Sequence, residues 1–294
     1  MTRTGPGSDV ATVPTVPTMS RRHAAGAESA RGLLFTVLGE FVLPGGGAAW
    51  TSAFIEVLGR LGVEEKATRQ ALMRTADDGW LVSERVGRRT RWRLTPSAVQ
   101  LLTEGTERIY GFTGATTDWD GRWLMVLARV PETDRPARHL LRTRLTWAGF
   151  GSPAPGVWIS THTERVDEVE RLFAQTPVFD DARMFIAEHH GHRDLTAMVH
   201  QAWDLAAIDA AYVNFMTDFS SAVAPAPIER LVELVHSWRA FPWLDPNLPR
   251  SLLPPLWSGQ EAAKMFATRH AIWAPDAATK WLRLNSRSST LTRG

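Results

Sequence analysis

The chain of 294 residues contains no cysteine, which excludes disulfides, thiolate zinc sites and a thiol nucleophile. Lysine is nearly absent too, so arginine supplies almost all of the 33 basic residues. No apolar run approaches the roughly 18 residues that a membrane-spanning helix needs. We therefore expect a cytoplasmic protein that makes no contact with a membrane.

The overall charge is close to balanced, with a formal net charge of +2 at pH 7. A surplus this small does not by itself indicate a nucleic-acid partner. The preference for arginine over lysine is also explained by a GC-rich genome, because codon bias acts on the whole chain. Only a local concentration of positive charge would therefore argue for binding to a polyanion.

Three short helices are predicted near the start of the chain. Apolar residues recur at helical spacing over residues 30–43, 50–61 and 63–78. Gly62 and Gly79 stand where glycine commonly ends a helix. The third helix begins only a few residues after the second, which is the arrangement of a helix-turn-helix.

A β-hairpin is predicted after the third helix. Residues 80–86 and 89–95 alternate apolar and polar side chains on either side of Gly87, the pattern of two strands with one buried face. Three helices followed by a hairpin have the order of a winged helix. Thr95 is suited to cap a further helix that has Pro96 at its first position and leads out of the domain.

The chain as a whole is predicted to have an α+β fold. Residues 1–28 are small and polar without a continuous apolar segment, which indicates a disordered leader and not a signal peptide. Residues 29–112 form the winged helix-turn-helix domain. The pattern of strands and helices over residues 119–192 predicts a βαββ-like or ferredoxin-like α/β domain. Residues 193–294 carry helical periodicity and are predicted to form a mainly helical domain.

The third helix has two chemically different faces. Its small and apolar residues cluster on one side of a helical wheel, and the opposite side is polar and cationic. Cations can contact phosphates, while arginine and glutamine can pair with guanine and adenine edges. On an isolated helix, a polar face of this kind is more often simply exposed to solvent. Its position in a helix-turn-helix beside the basic hairpin favours DNA binding instead. The candidate DNA contacts on this helix are Lys66, Arg69, Gln70 and Arg74.

The predicted hairpin carries five arginines and no acidic residue within residues 85–93. Such a density of positive charge repels itself unless it lies beside a polyanion such as the DNA backbone, where neutralised phosphates release counterions. We therefore interpret the hairpin as the wing of a DNA-binding domain. Its candidate DNA contacts are Arg85, Arg88, Arg89 and Arg91.

These segments together resemble PaaX-type regulators, the family named for repression of phenylacetate catabolism. In the first domain the motifs are LGEFV, ATRQALMR, DDGWL, GRRTRWRLT and RIYGF, and further on they are WDGRWLMVLARV, GVWIST, AWDL and SGQEAAKMF. The resemblance covers nearly all residues after about residue 28. Thr75 departs from it, because the family usually has leucine at this position, and the smaller residue would cost packing of the third helix.

The resemblance implies a transcriptional repressor that a small ligand, phenylacetyl-CoA or another acyl-CoA, releases from double-stranded DNA. Such coupling requires two states with different affinities for the ligand. A homodimer would place two winged helices on the two halves of an inverted-repeat operator. The sequence does not identify the effector pocket, and no cofactor is expected. A constitutive nucleic-acid-binding protein is the alternative interpretation.

The same resemblance implies a central domain similar to a small ferredoxin-like nuclease associated with CRISPR systems. A nuclease of that type needs an acidic metal ligand at the end of its first strand. Here the predicted strand ends Ala128-Arg129-Val130, and only Glu132 or Asp134 could substitute. No nucleophile elbow, phosphate loop or dinucleotide motif is present in the sequence. We therefore expect that the protein is not an enzyme.

Two further clusters are attributed to ordinary structure. Residues 188–192, EHHGH, could hold zinc only with a fourth ligand, and their glycine indicates a turn, so no metal is assigned. The tryptophans of the last third are attributed to the core, with an aromatic effector pocket among them as the alternative. They include Trp203, Trp238, Trp243, Trp257 and Trp273.

Overall fold

The computed structural model describes residues 30–114, 119–131, 133–174, 181–190, 194–221 and 228–290. The predicted leader lies outside these residues. The described chain is mixed in secondary structure, as expected, and helices outweigh strands. Along the chain it comprises a first unit of helices and a small sheet, a central α/β unit and a helical last third.

The first unit begins with three helices that agree with the predicted ones. They are α1 (Ala30–Val37), α2 (Thr51–Arg60) and α3 (Glu65–Asp77). A π-helical segment, Leu38–Val42, continues α1 up to the turn at residues 43–47. Gly62 and Gly79 both have φ of +79°, the left-handed conformation that glycine adopts freely after a helix.

A three-stranded antiparallel sheet completes the first unit. Its strands are β1 (Ala48–Trp50), β2 (Leu81–Val86) and β3 (Arg89–Leu94), in the order β1-β3-β2. β2 and β3 form the predicted hairpin, in which Val86 pairs with Arg89 across a two-residue turn. Gly87 has φ of +61° at the first turn position, as a type II′ turn requires. β1 has no counterpart in the sequence prediction and pairs with the other side of β3.

The next helix, α4 (Pro96–Tyr110), carries the chain away from the hairpin. The Thr95 hydroxyl accepts a hydrogen bond from the backbone N–H of Ala98 at 3.2 Å, and Pro96 occupies the first helical position, as predicted. The same hydroxyl donates to the carbonyl of Gly79 at 2.9 Å. The start of α4 is therefore bonded to the turn that follows α3.

The central unit is a four-stranded antiparallel sheet with two helices. Its elements are β4 (Arg122–Leu127), α5 (Arg135–Trp147), β5 (Gly151–Ala154), β6 (Val157–Ser160), α6 (Val166–Ala174) and β7 (Arg183–Glu188). The strands lie in the order β5-β6-β4-β7. Leu145 of α5 and Val169 of α6 pack with Val126 of β4 in a separate apolar cluster. β4 ends three residues before the predicted end of that strand, and β5 has no counterpart in the sequence prediction.

The last third is helical, as predicted. Its helices are α7 (Leu195–Ala202), α8 (Leu205–Asp218), α9 (Ile228–Trp238), α10 (Phe241–Leu244) and α11 (Gly259–Thr290). The apolar stripe of α8 is buried, with Tyr212 fully covered. The attribution of tryptophans to the core is confirmed for four of the five named above, and Trp243 is half-buried.

The long helix α11 joins the end of the chain to the first unit. Its Trp281 stacks on Phe41 at a ring-centroid distance of 5.4 Å and meets Phe54 edge-on at 5.7 Å. The first unit and the last third therefore share one continuous apolar core. None of the described helices is both long and apolar enough to cross a membrane.

The side chain of Asn285 covers the free edge of the first sheet. Its Oδ1 accepts a hydrogen bond from the backbone N–H of Trp50 at 3.0 Å, and its Nδ2 donates to the carbonyl of Ala48 at 3.4 Å. An unpaired strand edge is a site for unwanted pairing with other chains. This amide from α11 occupies the edge of β1 and fixes the last turns of α11 against the sheet.

Candidate nucleic-acid interface

The third helix presents the polar face that the sequence predicts. Thr68, Ala71, Leu72 and Thr75 are buried against the first unit. The opposite side chains are exposed to solvent, and they are Lys66, Arg69, Gln70, Met73 and Arg74. All four predicted contacts of this helix therefore share one accessible surface, which we call the α3 face.

Thr75, where the resemblance leads one to expect leucine, is fully buried. Its hydroxyl donates a hydrogen bond to the carbonyl of Ala71 at 2.7 Å, within the same helix. This bond removes the penalty of burying an unpaired hydroxyl. The apolar volume that leucine would add at this position is nevertheless missing.

One arginine of the α3 face is already engaged within its own helix. Arg69 donates from Nε and Nη2 to Oε1 of Glu65, at 2.9 and 2.7 Å. Both side chains are more than half exposed, so this pair contributes little to stability and is readily exchanged. Lys66 and Arg74 form no ion pair with any described residue, so they keep their full charge for a partner.

The arginines of the hairpin divide between its tip and one of its faces. Arg88 is exposed at the turn beside Gly87, and Arg85 is exposed with its Nε 3.4 Å from the Gly87 carbonyl. Arg89 and Arg91 alternate along β3 with buried Trp92, so they lie on the sheet face away from the core. The four predicted wing contacts are thus spread over the tip and the outer face.

The outer face of the sheet holds its arginines in different ways. Arg89 is half-buried, and its Nη1 is shielded from solvent without a hydrogen-bond partner among the described residues. The guanidinium of Arg91 lies 6.0 Å from the ring centroid of Trp50. Arg93 is paired with Glu84 at 3.3 Å, so its charge is partly neutralised within the hairpin.

A tryptophan joins the hairpin to the helices. Trp92 is buried and donates from Nε1 to Oγ1 of Thr51 at 2.9 Å, and that hydroxyl donates in turn to the carbonyl of Thr90 at 3.0 Å. The first residue of α2 is therefore bonded to β3. The α3 face and the hairpin are two surfaces of one packed unit.

The sequence does not predict the position of Trp50 beside the hairpin. Trp50 lies at the end of β1, directly opposite Arg91 in the register of the sheet. The sequence pattern places it at the start of the second helix, because a three-residue strand leaves too short a pattern to detect. No signal in the sequence places this ring beside the hairpin.

The residues considered for metal binding do not come together. Within the described ranges no group of three or more histidine or acidic residues could hold a metal ion. Glu188 and His190 are an exposed pair at 3.3 Å, and the remainder of EHHGH, residues 191 and 192, lies outside the described residues. Asp134 accepts the backbone N–H of Ala137 at 3.0 Å as the cap of α5, and residue 132 is also outside the described ranges.

Comparison with known proteins gives matches along most of the chain. Family models described as PaaX-like protein, PaaX protein central Cas2-like domain and PaaX-like protein C-terminal domain match residues 29–98, 116–199 and 203–283. The transcriptional repressor PaaX of Escherichia coli (strain K12) is 29% identical over 273 residues, which cover 87% of this chain and 84% of that protein.

A solved structure is similar in fold. The uncharacterized protein Rv0674 from Mycobacterium tuberculosis matches with a TM-score of 0.58 and 23% identity, over 89% of this chain and 99% of that one. At this identity the likeness concerns the fold alone. The three family matches, by contrast, follow one another in order and leave only short gaps between them. This chain therefore belongs to the PaaX family.

Proposed function

We propose that this protein is a sequence-specific DNA-binding transcriptional repressor and not an enzyme. The single observation that carries the proposal is the α3 face, where four side chains suited to DNA are exposed together on one helix beside an arginine-rich hairpin. The similarity to a transcriptional repressor supports it. A cytoplasmic location follows from the proposed role.

The first unit is proposed to be a winged helix-turn-helix. Its order of helices and strands, with β2 and β3 as the wing, supports this layout. In such a domain α3 would enter the major groove with Arg69, Gln70 and Arg74 toward base edges. The wing arginines would contact phosphates or the adjacent minor groove, which gives affinity without sequence preference.

The central unit is proposed to have the ferredoxin-like layout, which its strand order β5-β6-β4-β7 supports. A nuclease activity is not part of the proposal. β4 ends at Leu127 and is followed by Ala128 and Arg129, so a cation lies close to where a metal-dependent nuclease would need a carboxylate.

The repressor is proposed to act as a homodimer on an inverted repeat, because two copies of an α3 face related by a twofold axis would read two half-sites. A small ligand, phenylacetyl-CoA or another acyl-CoA, is proposed to release it. Release requires that the ligand bind more tightly to a form with lower affinity for DNA.

The proposal predicts that the wing and the α3 face contribute differently to DNA binding. Changing Arg88 and Arg89 to Ala together should weaken binding to every sequence. The slope of log affinity against log salt should become less steep by about 0.9 for each phosphate that the variant no longer neutralises. Changing Gln70 to Ala should mainly relax sequence preference, by about 1–3 kcal/mol at one base pair. Electrophoretic mobility shifts at several salt concentrations, on the protein's own promoter region and on unrelated DNA, measure both effects.

Arg171→Ala provides a matched control, because this exposed arginine lies on α6, away from the first unit. It should leave affinity and salt dependence as they are in the wild type. Addition of phenylacetyl-CoA should release the promoter fragment, and sequence-indifferent binding that no thioester reverses would favour a constitutive nucleic-acid-binding protein. If neither the wing pair nor Gln70→Ala changes DNA affinity, the docking arrangement is wrong.

A further inference from the structure

A cleft of about 220 Å³ lies where the three parts of the chain meet. The end of α4 forms one wall, the central unit forms the second, and α10 with the segment that follows it forms the third. The side chains that matter for its chemistry are Arg108, Trp147, His162, Arg165, Trp243 and Asn247. The cleft therefore combines two guanidinium groups with two indole rings, and Glu107 and Asp245 are its acidic lining residues.

Arg108 is held in the cleft without a hydrogen bond to any carboxylate among the described residues. Its guanidinium lies 3.7 Å from the ring centroid of Trp243, and Nη2 donates to the carbonyl of Pro242 at 3.2 Å. Burial lowers the pKa of Arg108, and the positive charge of Arg165 lowers it further, while Glu168 acts in the opposite direction. An anion bound in the cleft would relieve this unfavourable burial of charge.

Arg165 is also only partly engaged. Its Nη1 donates to the carbonyl of Ala148 at 3.3 Å, and its Nε is 3.9 Å from Glu168, which is too long for a hydrogen bond. In the described part of the chain no carboxylate is hydrogen-bonded to Arg108 or to Arg165. Planar guanidinium donors with free N–H groups bind carboxylate and phosphate oxygens well.

The third wall adds a polar atom that lacks a partner in the described part of the chain. Asn247 has φ of +54°, the only positive φ among the described residues other than glycine, and its Oδ1 is shielded from solvent without a hydrogen bond. The nearby carboxylate of Asp245 is already satisfied, by the Tyr212 hydroxyl at 2.6 Å and the Asn247 N–H at 2.7 Å. Asp245 lines the cleft but forms no ion pair with Arg108 or Arg165. The side-chain Oδ1 of Asn247 can accept a hydrogen bond from a ligand or a water.

The cleft is connected directly to the DNA-binding unit. α4 begins at Pro96, directly after the hairpin and its cap residue Thr95, and its last turn carries Arg108 into the cleft. Its 15 residues span about 22 Å as a single rigid element. His162 bonds to the carbonyl of Pro246 at 3.1 Å, so the central unit and the third wall are also linked there. A ligand that changes the spacing of the three walls would tilt α4 and, with it, the wing.

We propose that this cleft is the effector site, and that it binds the carboxylate or phosphate of a small ligand between Arg108 and Arg165, with a flat apolar group against Trp147 and Trp243. The assignment rests on the proposed function, because it supplies the site through which a ligand would control DNA binding. A cavity of about 150 Å³ accommodates benzene, so a small aromatic acid fits a cleft of this size. A coenzyme A thioester would leave most of its length outside.

Calorimetric titration of the full chain tests the site without DNA. The probes are phenylacetate, its neutral analogue phenylacetamide, coenzyme A and phenylacetyl-CoA. We expect Arg165→Gln to weaken binding of the anionic probes at least tenfold, and phenylacetamide to bind the wild type at least tenfold more weakly than phenylacetate. Binding of phenylacetate indicates that a carboxylate is recognised, and binding of coenzyme A without phenylacetate indicates that phosphate is recognised.

Arg142→Gln is the matched control, because it removes an exposed arginine of α5 that does not line the cleft. It should bind every probe as the wild type does. Arg108→Lys keeps the positive charge beside Trp243 and should bind the probes more tightly than Arg108→Gln, with melting temperatures showing that both variants are folded. Equal binding by the wild type and Arg165→Gln, or no binding of any anionic probe to the wild type, would overturn the assignment.

The mobility shift separates this assignment from the proposed function. If phenylacetyl-CoA reverses promoter binding equally in the wild type and in Arg165→Gln, the proposed repressor function is retained and the cleft is rejected as the effector site. If the wild type shows no sequence-specific DNA binding, the proposed repressor function is rejected. The calorimetric titrations would still test whether the cleft binds anions.

Discussion

Replacement of Trp238 by alanine is expected to lower the free energy of unfolding by about 3–5 kcal/mol, the cost of removing a large aromatic side chain from a packed core. Trp238 is fully buried at the centre of the last third. Its ring stacks on Phe266 at 4.8 Å and contacts Phe241 at 5.1 Å and Phe215 at 5.3 Å. Its Nε1 donates to the carbonyl of Ile109 at 3.1 Å, so the substitution also removes a hydrogen bond to α4.

Urea denaturation followed by circular dichroism measures this effect. Leu256→Ala is the control, because that side chain is 90% exposed and its removal should change the free energy of unfolding by less than about 0.5 kcal/mol. Trp238→Phe keeps most of the apolar packing, so its loss of unfolding free energy should lie between those of Leu256→Ala and Trp238→Ala. A decrease below about 1 kcal/mol for Trp238→Ala would mean that the aromatic cluster is not the main source of stability in this part of the chain.

The elements with strong local patterns are predictable from the sequence. The period of 3.6 residues in α3 separates Thr68 and Leu72 from Arg69 and Arg74, and their burial differs accordingly. The hairpin is predictable because alternation along β3 and a glycine at the turn are both local signals. The candidate DNA contacts of α3 can therefore be placed on a common surface from the sequence alone.

The short strands cannot be predicted in the same way. β1 has three residues and β5 has four, and β5, with the sequence GSPA, contains no alternating apolar residue. Both exist because a neighbouring strand offers them backbone hydrogen bonds, which is a property of distant residues and not of the segment itself. As a consequence the sequence pattern assigns Trp50 to a helix and misses its place beside Arg91.

Contacts between distant parts of the chain also cannot be predicted from the sequence. Glu40, in the π-helical segment, accepts a hydrogen bond from the hydroxyl of Tyr110 and pairs with Nε2 of His270 at 2.8 Å. These residues come from α4, α11 and the end of the first helix, and no spacing relates them. The cleft proposed as the effector site is also formed by distant parts of the chain, since its walls come from three units.

These long-range contacts bear on how a ligand could act. The first unit is bonded to the last third at the strand edge covered by Asn285, at the pair formed by Glu40 and His270, and around Trp281. A signal from the cleft would therefore have to shift several packed contacts together. A two-state rearrangement is the expected form of such a change, because packed interfaces do not deform continuously.

The contact between α9 and α1 predicts that stability depends on pH. Nδ1 of His236 lies 3.0 Å from Oγ1 of Thr36, which also accepts a hydrogen bond from Nη1 of Arg239 at 3.1 Å. Burial lowers the pKa of His236 from 6.5 to about 4, and the charge of Arg239 acts in the same direction. The unfolded chain therefore binds the proton more tightly than the fold does. Stability from this group is complete above pH 6.5 and is lost as the pH falls toward 4, by about 3 kcal/mol.

A second buried group makes stability depend on pH in the opposite direction. The pH dependence of the wild type alone therefore does not isolate the contribution of His236. Burial raises the pKa of Asp245 to about 6, which makes its contribution complete below pH 3.8 and lost as the pH rises through 6. Asp245 is present in both His236→Asn and the wild type. Its contribution therefore cancels in the difference between their free energies of unfolding. Urea denaturation at pH 7.5, 6, 5 and 4.5 should show the wild type losing stability relative to the variant as the pH falls.

The asparagine variant is chosen because its side-chain amide can still bond to Thr36 while it carries no titratable proton. His139→Asn, at an exposed position of α5, is the control and should follow the wild type at every pH. If His236→Asn and the wild type kept a constant difference from pH 7.5 to 4.5, His236 would not be held neutral by its burial. The packing of α9 on α1 would then have to admit the charged ring, and the contact would be looser than the hydrogen bonds among Thr36, His236 and Arg239 require.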